Sequence, residues 1–268
     1  MGSPVRAFFR IALYLGLTAA LLPIQVFALK FNRALAKSLP MFYHRLCTRI
    51  LGFDIRVHGK MKSEPPVLFA CNHTSYSDIA ILGALLPASF VAKAEVAGWP
   101  LFGVLAKLQR TVFVDRRASR ATKQRDEMIF RLEAGDNLIL FPEGTSSDGN
   151  AVLPFKSALF SVAQVEPNGA PLTVQPVSVA YTRLDGMPIG RALRPYFAWY
   201  GDMTLAPHFW EAAGLGHATV DVVFHPPVTI AEYRSRKALA EHCYAVVAEG
   251  VSRANAGRLD GLLPAPTS

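Results

Sequence analysis

His73 and Asp78 lie five positions apart in Asn72-His73-Thr74-Ser75-Tyr76-Ser77-Asp78, a polar stretch that follows the apolar run PVLFAC. An imidazole backed by a carboxylate is a ready general base near neutral pH. The acid accepts the proton on one ring nitrogen and fixes the tautomer, which leaves the other nitrogen to take a proton from a substrate. A single helix cannot make the two side chains neighbours, because five residues rotate by ~500° and leave them ~140° apart. A turn can, if the strand ends at Asn72 and a helix begins near Ser77. The same residues also fit a surface histidine beside a carboxylate that only complements the dipole of that helix. Ser75 and Ser77 suit turns and caps.

The second chemical segment is Phe141-Pro142-Glu143-Gly144-Thr145, which follows Asn-Leu-Ile-Leu. Open α/β sheets place ligands beyond the C-terminal ends of their strands, and a Glu-Gly-Thr turn after a buried strand fits that place. Gly144 permits close backbone approach, and its amide is a candidate donor to an oxyanion. Pro-Glu-Gly is equally an ordinary turn sequence.

The elements that must position these residues are legible from about Val67. Short β-branched runs (PVLFACN, SFVAKAEV, RTVFVDR, NLILFPEG and LTVQPVSVAY) alternate with helical periods, the first of them near 77–86. This alternation predicts an α/β fold with helices packed on a mostly parallel, mixed sheet. In the second helix Ser119 can cap the N-terminus, Ala121, Met128, Ile129 and Leu132 form an apolar face, and Gly135 can end it. Residues 182–218, rich in Gly, Pro and aromatics, read as an irregular cap. A last strand lies in TVDVVFHPPVTI, and a helix is predicted from about Ala231 to Ala254.

Taken together, His-x4-Asp and Phe-Pro-Glu-Gly-Thr resemble the glycerolipid acyltransferase family, which includes the 1-acylglycerol-3-phosphate acyltransferases. The resemblance runs on through Phe113-Val114-Asp115-Arg116 and Gln175-Pro176-Val177-Ser178-Val179, and so covers about residues 67–180. It implies an acyltransferase domain in which His73, supported by Asp78, deprotonates a lysolipid hydroxyl that attacks an acyl thioester. By the same analogy Glu143, Gly144 and Thr145 bind the acceptor, and Arg116 holds its polar head. The implied partners are a lysolipid acceptor, an acyl-CoA or acyl carrier protein donor, and membrane lipids. No cofactor or metal is implied, and nothing in the sequence specifies an oligomeric state.

Two departures bear on the acceptor. The family commonly has an arginine soon after Glu-Gly-Thr, whereas this chain continues Ser146-Ser147-Asp148; and Arg110 stands where the second block usually begins with glycine. Arg110 and Lys156 are therefore candidates for the missing cation. Phosphatidate formation from 1-acylglycerol-3-phosphate is the first expectation. Residues 141–160 are also similar to bacterial relatives that acylate lyso-ornithine lipid, a phosphate-free acceptor.

The N-terminus reads as a membrane segment. IALYLGLTAALLPIQVFAL, residues 11–29, carries no charge and is flanked by Arg6 and Arg10 on one side and by Lys30, Arg33 and Lys37 on the other. As a helix it would be ~28 Å long, close to the hydrocarbon thickness of a bilayer. Basic residues on both flanks conflict over orientation, and a kinked, half-inserted helix with both ends on one face would resolve that. A spanning helix, a buried globular helix and a cleaved signal peptide are the alternatives, the last disfavoured because no A-x-A site follows the apolar run. Residues 34–50 form a second, amphipathic stretch. The expected organisation is a membrane-anchoring segment over 1–50 and the acyltransferase domain over 51–268, at the cytoplasmic face of the inner membrane.

Composition agrees. Of 268 residues 51% are hydrophobic and 18% charged, which excludes disorder, and the net charge of +8 suits an anionic membrane surface or substrate. Residues 93–131 alone hold nine basic and four acidic side chains. Three scattered cysteines, Cys47, Cys71 and Cys243, support neither a disulfide framework nor a zinc site. A nucleic-acid-binding protein is disfavoured because no recognition motif accompanies the charge. A non-catalytic lipid-binding module is the remaining rival class.

Overall fold

The computed structural model describes residues 2–114 and 118–259, without the side chains of residues 118–124 and 168. The expectations for Arg116, and for the side chains of Ser119 and Ala121, lie outside the described residues. In chain order the elements are α1 (Pro4–Phe31), α2 (Arg33–Leu51), β1 (Phe53–Gly59), β2 (Val67–Cys71), α3 (Ser77–Leu85), β3 (Ala88–Lys93), α4 (Phe102–Leu108), β4 (Val112–Val114), α5 (Ala118–Glu133), β5 (Asn137–Leu140), β6 (Thr173–Leu184), β7 (Met187–Pro188), α6 (Leu205–Gly214), β8 (Ala218–Phe224), β9 (Val228–Thr229) and α7 (Arg236–Asn255).

The strands join in one sheet in the order β1-β8-β6-β2-β5-β3-β4, with β7 and β9 paired to β6. Along that path β6 and β8 run antiparallel and the other neighbours run parallel. Every residue of β2 is buried, because the sheet is covered on both faces. Its alternation divides two cores. Val67, Phe69 and Cys71 meet Ile81 and Leu82 of α3, whereas Leu68 and Ala70 meet Leu132 of α5 and Leu239 and Cys243 of α7.

The sheet starts earlier than the sequence pattern suggests. Phe53–Gly59 forms β1, parallel to β8, directly after Gly52 ends α2 in the left-handed conformation at φ 82°. The last helix starts later than expected, at Arg236, where the Ser235 side chain accepts from Ala238 N. Within the predicted irregular cap, Leu205–Gly214 is helical. All three cysteines are buried and free.

The apolar N-terminal stretch is helical over 28 residues, and the helix continues through Pro23. Asn32 separates it from α2 and caps that helix by accepting from Leu35 N. The buried positions of α1 are Ala7, Tyr14, Thr18, Gln25 and Ala28, a stripe at near-heptad spacing. Along this stripe Tyr14 meets Phe209 of α6 at 5.7 Å, Thr18 Oγ1 lies 2.9 Å from Tyr43 Oη of α2, and Gln25 Nε2 donates to Leu108 O of α4 at 2.9 Å. Arg6 and Arg10, read from sequence as one charged flank, instead donate to Leu215 O at 2.9 and 2.8 Å, just past α6. Cations at a helix C-terminus meet its orphan carbonyls and the negative end of its dipole. The opposite face of α1 leaves Phe8, Phe9, Leu13, Phe27 and Phe31 exposed. Among the described residues α1 is the one helix long and apolar enough to cross a membrane.

Candidate active site

The site begins where β2 ends. Asn72 clamps the neighbouring strand with both ends of its amide: Nδ2 donates to Val179 O at 2.9 Å, and Oδ1 accepts from Val179 N at 2.7 Å. The chain then turns, and Asp78, in the first turn of α3, folds back on it. Asp78 Oδ2 accepts from His73 Nδ1 at 2.9 Å, Thr74 N at 2.7 Å and Ser75 N at 2.9 Å. The turn thus makes neighbours of two residues that a helix would hold apart, as their spacing requires. The carboxylate is fully buried, and the His73 side chain keeps 22% of its exposure. With its proton on Nδ1 facing the carboxylate, the ring has Nε2 available as the basic nitrogen. Phe141 stacks on it at 4.1 Å and holds its plane.

Glu143 works through the main chain. Its Oε1 accepts from His73 N at 2.5 Å and its Oε2 from Leu153 N at 2.7 Å, and the residue is 2% exposed. Burial pushes this carboxyl up to about 8, against the two amide donors. The Gly144 amide, a candidate oxyanion donor by sequence, donates to Phe141 O at 3.0 Å within the turn. Gly144 has φ 69°, and a Cβ there would lie 2.7 Å from Lys156 Nζ. The lysine predicted as a candidate cation therefore stands over this glycine. Arg110 is engaged elsewhere: its Nη2 donates to Asp136 Oδ2 at 2.6 Å, beside Arg131 and Lys37 on the same carboxylate.

A cavity of about 790 Å³ connects these parts. His73, Gly144, Thr145 and Lys156 line it, and it extends past Phe90 and Phe141 to Leu21, Leu39 and Tyr43 of α1 and α2. Trp199 and Phe209 close it from the cap. His225 is buried with Nε2 2.7 Å from Ser178 Oγ, and His208 Nδ1 lies 2.9 Å from Tyr76 Oη. Sequence reasoning missed the clamp made by Asn72 and the place of Tyr181, whose Oη donates to Asp78 Oδ1 at 2.8 Å. The second carried a signal, as the one residue with a polar tip in the apolar alternation Val177, Val179, Tyr181.

Residues 54–180 match the family model described as Acyltransferase. The lyso-ornithine lipid O-acyltransferase of Brucella abortus (strain 2308) is 46% identical to this chain, covering 88% of it and 90% of the relative. The protein of the same name from Rhizobium meliloti (strain 1021) is 40% identical over 81% of this chain and 76% of its own. A 1-acyl-sn-glycerol-3-phosphate acyltransferase of Neisseria gonorrhoeae is 34% identical over 68% and 69%. The crystal structure of the 1-acyl-sn-glycerophosphate acyltransferase of Thermotoga maritima has the same fold, with a TM-score of 0.63 at 22% identity over 93% of this chain and 96% of that one. Similarity of this extent, joined to the geometry around His73, means that the chain belongs to the acyltransferase family whose members acylate lysolipids.

Proposed function

We propose that the chain moves a fatty acyl group from a thioester, carried on coenzyme A or acyl carrier protein, to a lysolipid hydroxyl, with His73 as general base and Asp78 as its support. One observation carries this reading: His73, backed by Asp78, opens on a cavity that Thr145 and Lys156 also line and that is apolar toward α1 and α2. The acceptor hydroxyl gives its proton to His73 Nε2 as its oxygen bonds to the thioester carbonyl carbon, whose π electrons move to oxygen. Collapse of that intermediate breaks the C–S bond, and the thiolate leaves with the proton from the imidazolium. The thioester is already activated, so no serine nucleophile is needed. Lys156 supplies positive charge for the oxyanion or for an anionic head. Gly144 and Thr145 shape the acceptor side, Glu143 acts through the backbone it grips, Arg116 remains the head-group arginine of the family analogy, and Arg110 has a structural role.

Lyso-ornithine lipid is the acceptor best supported. The relatives of that name at 46% and 40% identity favour it, as does Ser146-Ser147-Asp148 in place of the family's basic residue. Acylation of 1-acylglycerol-3-phosphate is the second reading, favoured by Lys156 and by the relative at 34% identity. Purified protein in vesicles, given labelled acyl thioester and each acceptor, tests both. Transfer to lyso-ornithine lipid that is lost in His73→Ala is expected; transfer to neither acceptor would sink the proposal.

Residues 1–50 are assigned to anchoring and 51–268 to acyl transfer, at the cytoplasmic face of the inner membrane. The exposed apolar face of α1 and the bases Lys30 and Arg33 at its far end support attachment. The contacts of Arg6, Arg10 and Gln25 along the domain favour a helix lying in one leaflet over one that crosses.

A further inference from the structure

Asp78 has three donors on Oδ2 and a different one on Oδ1, where Tyr181 Oη donates at 2.8 Å. The sheet delivers that hydroxyl. Cys71 pairs with Val177 in the parallel register of β2 with β6, and β6 continues past the end of β2 beside the catalytic turn. Strand alternation puts Val177, Val179 and Tyr181 on the face that α3 covers, in one core with Ile81. Tyr181 is 1% exposed, its ring stacked on Phe197 at 5.6 Å and edge-on to Phe53 at 6.1 Å. A phenol this deep requires an acceptor, and a buried carboxylate oxygen requires a donor.

We propose that Tyr181 is a positioning residue for acyl transfer, holding Asp78 Oδ1 so that Oδ2 stays aimed at His73 Nδ1. The inference rests on His73 acting as the base. Without the hydroxyl, Asp78 is held through Oδ2 alone, its Oδ1 is left without the Tyr181 donor, and its charge is less dispersed. A more concentrated charge beside Nδ1 stabilises the imidazolium, so His73 releases its proton at higher pH.

The other groups that bear on the pair are Cys71 and Tyr76 on its own segment, Glu143 after β5, Lys156 beyond it, and Lys93, Glu95 and Arg125 on the cavity wall. Burial pushes Cys71, Tyr76 and Tyr181 upward, so all three stay neutral through the assay range. Glu143, pushed up to about 8 by burial and also raised by the charge of Asp78, titrates within that range, so each profile is repeated in a Glu143→Gln background.

The test compares pH–rate profiles of wild type, Tyr181→Phe, Phe197→Leu and His73→Ala in vesicles. Tyr181→Phe is expected to lower kcat about tenfold at pH 7 with unchanged KM. Its acid limb should move up by about half to one pH unit, so the deficit narrows as pH rises. Phe197→Leu keeps the hydroxyl and loosens the stack; it should lower Tm and leave the limb in place. Replacing Tyr181 by 3-fluorotyrosine, a more acidic phenol in the same fold, should move the limb down, and that holds even if the Phe variant does not fold. An unmoved limb in the folded Tyr181 variants, or an equal movement in Phe197→Leu, overturns the proposal. Activity surviving in His73→Ala would instead remove the reading on which it rests.

Discussion

The backbone N–H of His73 donates to the carboxylate of Glu143 at 2.5 Å, so the second motif grips the main chain of the first. Because Glu143 Oε2 also accepts from Leu153 N, both oxygens are in use. Once ionised, above about 8, the carboxylate accepts from both amides, whereas Glu143→Gln would set an NH₂ group against one of them, donor facing donor. We expect kcat/KM to fall about tenfold or more, measured by acyl transfer to lyso-ornithine lipid. Full activity in the folded variant would show that the grip does not matter.

The same residue gives stability a pH dependence. Burial raises its folded value from 4.5 to about 8, so the folded state holds the proton more tightly than the unfolded chain. The contribution is therefore greatest below about 4.5 and is lost as pH rises toward about 8. Over that interval the Tm of the wild type should decline relative to Glu143→Gln. Parallel curves would contradict this.

Asp136 has the opposite sign. Burial alone would raise its carboxyl, but hydrogen bonds from Lys37 and Arg131 and the charges of Arg131 and Arg110 outweigh burial and bring it from 3.8 down to about 2. Its stabilisation is complete above 3.8 and disappears as pH falls through about 2. Asp136→Asn should lower Tm at pH 7, and the gap from wild type should close in acid. Thermal scans in low salt read this directly.

Lys156→Met should raise the acceptor KM about tenfold or slow the step by a similar factor, according to whether the ammonium serves the head group or the oxyanion. Steady-state kinetics with both acceptors separates the two roles, and no change in either parameter would exclude Lys156 from the site.

Gly83 in α3 has no room for a side chain, since a Cβ would lie 2.5 Å from the His44 ring of α2. Gly83→Ala should cost about 1–3 kcal/mol in denaturant unfolding by forcing α2 away from α3. A neutral result would mean that the helix pair repacks without strain.

Phe8 and Phe9 are 58% and 59% exposed on the outer face of α1. Replacing both by Ser should weaken partitioning to anionic vesicles about tenfold or more, while activity on detergent-dispersed substrate is retained. Flotation at unchanged strength would argue that another surface holds the membrane.

His73 and Asp78 were legible because their relationship is local: a polar turn between a buried strand and a helix start leaves few ways for an imidazole and a carboxylate five residues apart to lie. The five apolar residues of β2 likewise required cover on both faces, and that predicts a sheet with helices above and below. The N-terminal helix was visible for the same reason, as an uncharged run, but its docking was not. Arg6 and Arg10 look like a membrane flank until the carbonyls of Leu215 and its neighbours are brought to them from more than two hundred residues away.

What the tertiary structure alone decided are the long-range pairings. Strand order sets Tyr181 against Asp78, the crossing of two loops sets Glu143 on the amide of His73, and Asp136 takes Arg110 away from the head-group role its position suggested. Spacing along a chain constrains neighbours within a turn or two. Which distant side chain completes a buried carboxylate depends on sheet register and on which donors remain unpaired after the core has closed.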